Sequence, residues 1–221
     1  MKHDELDNRI DKGSTTTLVL DVKDPHSRGD AISKAATILQ NGGLVAFPTE
    51  TVYGLGANAL NEKAVKSTFA AKGRPADNPL IVHISKWEEA LPLVSSFPEI
   101  ARLLAEKFWP GPLTMVLPVS SAVPKVVTAG LDTVGIRLPA NEYAREMIRT
   151  AGVPVAAPSA NVSGSPSPTS AEHVYHDLAG KIDLILDGGS CEVGVESTVL
   201  DLAGPVPVIL RPGGTPVEEL L

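Results

Sequence analysis

Two cations stand two residues apart in Lys72-Gly73-Arg74-Pro75-Ala76-Asp77-Asn78-Pro79. In an extended segment that spacing projects both side chains to one side. A lysine point charge and an arginine fork, with the Asn78 amide nearby, suit a polyphosphate. The plainer reading is a helix-end charge pair facing the dipole. Pro158-Ser159-Ala160-Asn161-Val162-Ser163-Gly164 repeats the spacing with a hydroxyl and an amide, which suit a phosphate or a ribose or serve as turn formers. Arg137 lies inside the apolar run Val134-Gly135-Ile136-Arg137-Leu138. A charge there is rarely buried unpaired, so it binds an acid from protein or substrate. Arg211, in Leu210-Arg211-Pro212-Gly213-Gly214, adds a further cation. Lys72, Arg74, Arg137 and Arg211 together describe a cationic cleft for an anionic ligand with several phosphates.

These loops need strands and helices to hold them. Helix-like periodicity covers Asp30 to Gln40, stopping at Gly42-Gly43, and the stretch from Asn61 to about Lys72. Pro98 opens a helix expected to turn Ile100, Leu103, Leu104 and Phe108 inward. Asn141 and Ser170 begin two more helices. Strands are expected at Leu44–Phe47, Leu80–Ile84, Thr114–Pro118, Val134–Leu138, Val153–Ala157, Leu184–Asp187, Ser197–Leu202 and Val206–Leu210. Pro48 to Gly56 reads as a polar loop after a strand, the usual place for binding residues, or equally as a turn that needs its glycines; Gly188-Gly189 and Gly194-Val195-Glu196-Ser197-Thr198 form another such polar segment. Strands interleaved with helices, then consecutive strands, give an α/β fold with a mixed sheet. The chain divides into a polar tail (1–15), one domain (16–215) and a short C-terminal tail (216–221).

Composition removes whole function classes. The 221 residues carry 26 acidic and 19 basic side chains, a net charge of −7 that disfavours a general nucleic-acid binder but leaves room for a local basic cavity. Aromatics are only 4%, so the core is built from Val, Leu, Ile and Ala. The single Cys191 rules out an internal disulfide and a multi-cysteine zinc site. There is no G-x-x-x-x-G-K-[ST] loop, no dinucleotide fingerprint, and no nucleophile elbow around Ser159, whose context is Ala-Pro-Ser-Ala-Asn. His173 and His176, beside Glu172 and Asp177, read as a solvated polar face rather than a metal site. Met1 to Lys12 lacks a secretory h-region, and no apolar run approaches the ~20 residues of a membrane span, so a cytoplasmic protein is expected.

The loops, in order, resemble the threonylcarbamoyl-AMP synthase family, built on the YrdC-like domain. The matching text runs Gly43-Leu44-Val45-Ala46-Phe47-Pro48-Thr49-Glu50-Thr51-Val52-Tyr53-Gly54-Leu55, Lys72-Gly73-Arg74-Pro75 with Asn78-Pro79-Leu80, and Trp109-Pro110-Gly111-Pro112-Leu113-Thr114. It continues through Val134-Gly135-Ile136-Arg137-Leu138-Pro139, Pro158-Ser159-Ala160-Asn161, Glu196-Ser197-Thr198-Val199 and Leu210-Arg211-Pro212-Gly213. The resemblance implies a twisted mixed sheet with flanking helices around a concave cationic cavity. It also implies conversion of L-threonine, bicarbonate and ATP to threonylcarbamoyl-AMP and pyrophosphate. That is the first step toward the threonylcarbamoyladenosine beside the tRNA anticodon.

By the same resemblance, Lys72, Arg74, Ser159 and Asn161 match a signature tetrad at the nucleotide site. Asn78, Thr133, Thr169 and Arg211 match further ATP contacts, and Thr51, His83, Arg137 and Ser197 match positions around threonine. Mg²⁺ is expected with ATP, with no protein-held metal. A tRNA threonylcarbamoyltransferase is expected to receive the product, and direct tRNA contact is compatible with the family. Neither Ser159 nor Cys191 is assigned a covalent role. His83 is expected to contact threonine or to be satisfied at a strand end, ahead of acting as a base. The family has a short branch and a long branch with a linker and second domain; Pro216–Leu221 reads as the start of a helix, which leaves both open. Two other readings are a double-stranded RNA or tRNA-binding module and a carbamoyl-adenylating domain.

Overall fold

The computed structural model describes residues 16–220. The expected polar tail, 1–15, lies outside the described residues. β1 (Leu18–Asp21) leads to α1 (Pro25–Gln40). This helix begins five residues before the expected start, because the Asp24 side chain accepts from the His26 amide and Pro25 fits the first turn. The helices α2 (Glu62–Lys72), α5 (Glu142–Ala151) and α6 (Ala171–Leu178) begin at the expected caps Asn61, Asn141 and Ser170, each accepting from a first-turn amide. α2 and α5 stop at Gly73 and Gly152, whose φ of +64° and +65° is left-handed.

Nine further strands join β1: β2 (Val45–Phe47), β3 (Gly54–Asn58), β4 (Ile81–His83), β5 (Leu113–Pro118), β6 (Thr133–Arg137), β7 (Val155–Ala157), β8 (Leu184–Asp187), β9 (Thr198–Asp201) and β10 (Val208–Arg211). They form one ten-stranded sheet in the order β1-β8-β2-β3-β7-β4-β6-β5-β9-β10. β1/β8, β2/β8, β4/β6 and β5/β9 pair in parallel, the others antiparallel, so the sheet is mixed as expected.

Alternation along the strands assigns each face its own core. Val45, Phe47, Leu184 and Leu186 pack with Ala35, Leu39, Met147 and Ile148 of α1 and α5. On the other face, Ala46, Leu55, Ala57 and Ile185 pack with Val174 and Leu178 of α6. The β4–β6 half of the sheet packs with α3 (Glu99–Phe108) and α4 (Lys125–Thr128). α3 is rotated from the expected face: Ala101 and Ala105 are buried while Ile100 and Leu103 are 44% and 54% exposed. Small alanines let its backbone approach the sheet, with Leu104 and Phe108 flanking the contact.

The run Pro48–Gly56 is a second departure. Its last three residues are the start of β3, paired antiparallel with β2 (Phe47 opposite Gly54). Neither Gly54 nor Gly56 has positive φ. A Cβ on Gly54 would stand 3.1 Å from the Phe47 ring, and one on Gly56 3.0 Å from that ring and 2.8 Å from Val155. The glycines are therefore set by the bulk of Phe47 beneath them, not by a turn. Gly56→Ala should destabilise the fold by about 1–3 kcal/mol through overpacking. Urea unfolding checks this, with a lowered midpoint and an unchanged slope expected.

Candidate active site

Strand ends converge on one cavity of about 210 Å³. β4 runs beneath it, preceded by Asn78 and ending at His83, both of which line the cavity. Arg74 and Ser159 also line it, and register places the end of β7 beside the start of β4, Ala157 opposite Ile81. At the other end of β4, His83 lies opposite Arg137 of β6. Thr51, Ser197 and Arg211 join the lining from three other segments. Eight of the twelve expected site residues thus share one cavity: Thr51, Arg74, Asn78, His83, Arg137, Ser159, Ser197 and Arg211.

Arg137 is buried, and its acid partner comes from the protein. Its Nη2 donates to Glu50 Oε1 at 2.7 Å, Nη1 to Thr51 Oγ1 at 3.0 Å, and Nε to the Gly111 carbonyl at 3.4 Å. Glu50 Oε2 accepts from the Ala140 amide at 3.1 Å. A guanidinium has five N–H groups, so one on each terminal nitrogen is left over from these three bonds. Glu50 was not singled out from sequence, although it sits in the quoted Pro-Thr-Glu-Thr run and Arg137 demanded an acid. Thr49 was also missed; its hydroxyl donates to the Val52 carbonyl at 2.6 Å and lies 2.8 Å from Thr51 Oγ1.

Ser197 joins the same end. Its hydroxyl lies 2.8 Å from Thr114 Oγ1, while its carbonyl accepts from Arg211 Nη2 at 2.8 Å. Burial and the nearby Arg137 charge lower the Arg211 pKa, with Glu196 opposing them. His83 is edge-on to Phe47, and its Nδ1 lies 3.2 Å from the Ile81 carbonyl. Burial, then the Arg137 charge, pushes its pKa down to about 3, so the imidazole is neutral at physiological pH. Burial raises the Cys191 thiol to about 11, which leaves it protonated and a poor nucleophile.

Lys72 differs from its expectation. It is the last residue of α2, and the left-handed Gly73 turns the chain so that Lys72 points inward while Arg74 lines the cavity. The two cations do not project to one side of an extended segment. Lys72 Nζ donates to the Ser159 carbonyl, to the Asn161 carbonyl at 2.6 Å and to Asn161 Oδ1 at 3.3 Å. Burial, then the Arg74 charge, lowers it to about 8. Asn161 is buried too, donating to the Val162 and Ser165 carbonyls at 2.9 and 2.7 Å. Lys72 and Asn161 therefore fasten the loop that presents Ser159.

Buried Tyr53 supports that loop from below. Its carbonyl accepts from the Ala160 amide at 2.9 Å, and its hydroxyl donates to the Gly189 carbonyl at 2.7 Å. Thr133 begins β6 opposite Pro118 and does not line the cavity. Thr169 lies before α6, its hydroxyl 3.5 Å from His173 Nδ1, also outside the lining. His176 is exposed and bonds Asp177. No group of three or more metal-ligating side chains occurs among the described residues, and none of their helices is long and apolar enough to cross a membrane.

A family model described as Sua5/yciO/yrdC, telomere recombination, matches residues 37–213. The Pyrococcus abyssi protein named threonylcarbamoyl-AMP synthase is 61% identical over 186 residues, covering 84% of this chain and 55% of that relative. The Bacillus subtilis protein of the same name is 55% identical over 208 residues, covering 93% of this chain and 60% of its own. The crystal structure of P. abyssi Sua5 complexed with L-threonine has a TM-score of 0.88 at 56% identity, covering 93% of this chain and 60% of that one. The chain spans between half and two thirds of the length of these relatives.

Glu50→Ala leaves the Arg137 charge buried without its partner and should cost about 3–5 kcal/mol of stability. Glu50→Gln keeps an acceptor and should cost less than half of that. Urea denaturation of both variants checks the order.

Proposed function

The chain belongs to the Sua5/YciO/YrdC family, and from that premise we propose that it makes threonylcarbamoyl-AMP and pyrophosphate from L-threonine, bicarbonate and ATP. One observation carries the reading. A single cavity combines Arg137, already neutralised on one edge by Glu50, with Arg74, Asn78 and Ser159 towards the start of β4 and Arg211 beside Ser197. The first end suits a small hydroxylated carboxylate and the rest a polyphosphate. The relatives named threonylcarbamoyl-AMP synthase, and the threonine in the P. abyssi Sua5 structure, support the same assignment.

In this reading the threonine carboxylate accepts from the remaining N–H groups of Arg137. Its hydroxyl meets Thr51, neutral His83 or Ser197. The ammonium first gives up a proton to solvent, and the neutral amine attacks bicarbonate, forming an N–C bond as water leaves. A carboxylate oxygen of that carbamate then attacks the α-phosphorus of ATP, and pyrophosphate departs. No protein nucleophile enters, so rate comes from in-line placement and charge neutralisation. Arg74 and Arg211 supply charge; Asn78 and Ser159 supply donors; Lys72 and Asn161 keep the Ser159 loop in place. Thr133 and Thr169 lie outside the lining, so we give them no contact in this scheme.

The donor set does not fit a resident divalent ion. Among the described residues Glu196 is the one carboxylate in the lining, while Glu50 is held by Arg137. Mg²⁺ accordingly enters with ATP as part of the substrate complex. We place the enzyme in the cytoplasm, with a tRNA threonylcarbamoyltransferase receiving its product. The net charge of −7 disfavours tRNA retention by the chain itself.

Pyrophosphate release from Mg-ATP should require both threonine and bicarbonate, with the threonylcarbamoyl-AMP mass as product. Valine in place of threonine should lower kcat/KM by on the order of 10², because the hydrogen bonds of the substrate hydroxyl are lost while Thr51 and Ser197 keep their protein partners. Release that ignores threonine, or no release, contradicts the proposal.

A further inference from the structure

An α-amino acid is a zwitterion, and a cavity built from arginines serves only its carboxylate. Three cations, Arg74, Arg137 and Arg211, line this one. Among the described residues the only anionic side chain in the lining is Glu196. Glu50 lies behind Arg137 and gives one oxygen to its guanidinium and the other to the Ala140 amide. Held there, it does not line the cavity.

Glu196 is built differently. It precedes Ser197, the residue whose hydroxyl bonds Thr114 and whose carbonyl holds Arg211. Ser167 Oγ, in the segment after β7, donates to its Oε1 at 2.6 Å and fixes the carboxylate. Among the described residues no other side chain hydrogen-bonds to it. That Ser167 bond, helped by the Glu196 amide and the Arg211 charge, lowers the carboxyl pKa against the opposing effect of burial. Glu196 is thus a positioned anion beside both Ser197 and Arg211.

We infer that Glu196 is the seat of the substrate's α-ammonium group and selects an α-amino acid over a plain hydroxy acid. The inference rests on the synthase reading above and adds to it the partner of the third substituent. Carboxylate on Arg137 and ammonium on Glu196 fix two points of the amino acid. Its nitrogen, the atom to be carboxylated, then stands beside Arg211, one of the cations assigned to the phosphates.

The test compares two ligands by calorimetry in the full chain. L-Threonine carries the ammonium; β-hydroxybutyrate keeps its carboxylate and hydroxyl and lacks the amine. Glu196→Gln preserves an acceptor for Ser167 and removes the charge. It should weaken threonine binding about tenfold or more, change β-hydroxybutyrate binding less than about twofold, and leave ATP binding intact. Glu196→Asp, which keeps the charge but draws it back by one methylene, should lie between. Equal loss for both ligands makes Glu196 merely structural and overturns the inference, as does unchanged threonine binding. If the unaltered chain binds neither threonine nor ATP, the synthase reading itself fails, and that result is separable from any effect of the variants.

Discussion

The buried ion pair between Arg137 and Glu50 is the constraint on which the site depends. Both side chains are nearly out of water, 4% and 10% exposed, so each charge requires the other and further hydrogen bonds besides. Those bonds join the end of β6, the loop after β2, the Gly111 carbonyl and the amide of Ala140 just before α5. The loop is then itself a platform. The Glu50 and Thr51 carbonyls accept from the Val193 and Gly194 amides, which docks the segment leading to Glu196 and Ser197. One desolvated pair so fixes most of the Arg137 end of the cavity.

The second charged anchor obeys the same physics without a carboxylate. Lys72 is 2% exposed and is satisfied by carbonyl oxygens of the Ser159–Asn161 loop. A buried ammonium without an anionic partner is tolerated because three acceptors replace water. An acidic protein can in this way hold a cationic cavity. Arg74, Arg137 and Arg211 are gathered at converging strand ends, where Glu196 is the one carboxylate in the lining among the described residues. His83 in the lining is neutral, and Cys191, outside the lining, is protonated, consistent with chemistry done by positioning.

Much of this was legible in the residues. Asn61, Asn141 and Ser170 announced helix starts because a short polar side chain before an apolar period satisfies free amides. The strand-borne Arg137 announced a binding end because its charge had to be matched. Other features turned on three-dimensional neighbours. Local periodicity favoured Ile100 and Leu103 as the inner face of α3, but close approach to the sheet selected Ala101 and Ala105. The glycines of β3 looked like turn residues until Phe47 was seen beneath them. Lys72 and Arg74 looked equivalent, but a single left-handed glycine sends one inward to a loop and the other to the cavity. Glu50 and Glu196 gave no local signal, since a carboxylate in a polar run is ordinary until its partner is known.

The most direct test of the central claim is a crystal structure of the chain with L-threonine and a non-hydrolysable ATP analogue. The account predicts both ligands in one cavity, the threonine carboxylate on Arg137 and the phosphates between Arg74 and Arg211, with the Arg137–Glu50 pair intact. A triphosphate seated on Arg137, or threonine bound away from the end of β6, would contradict it.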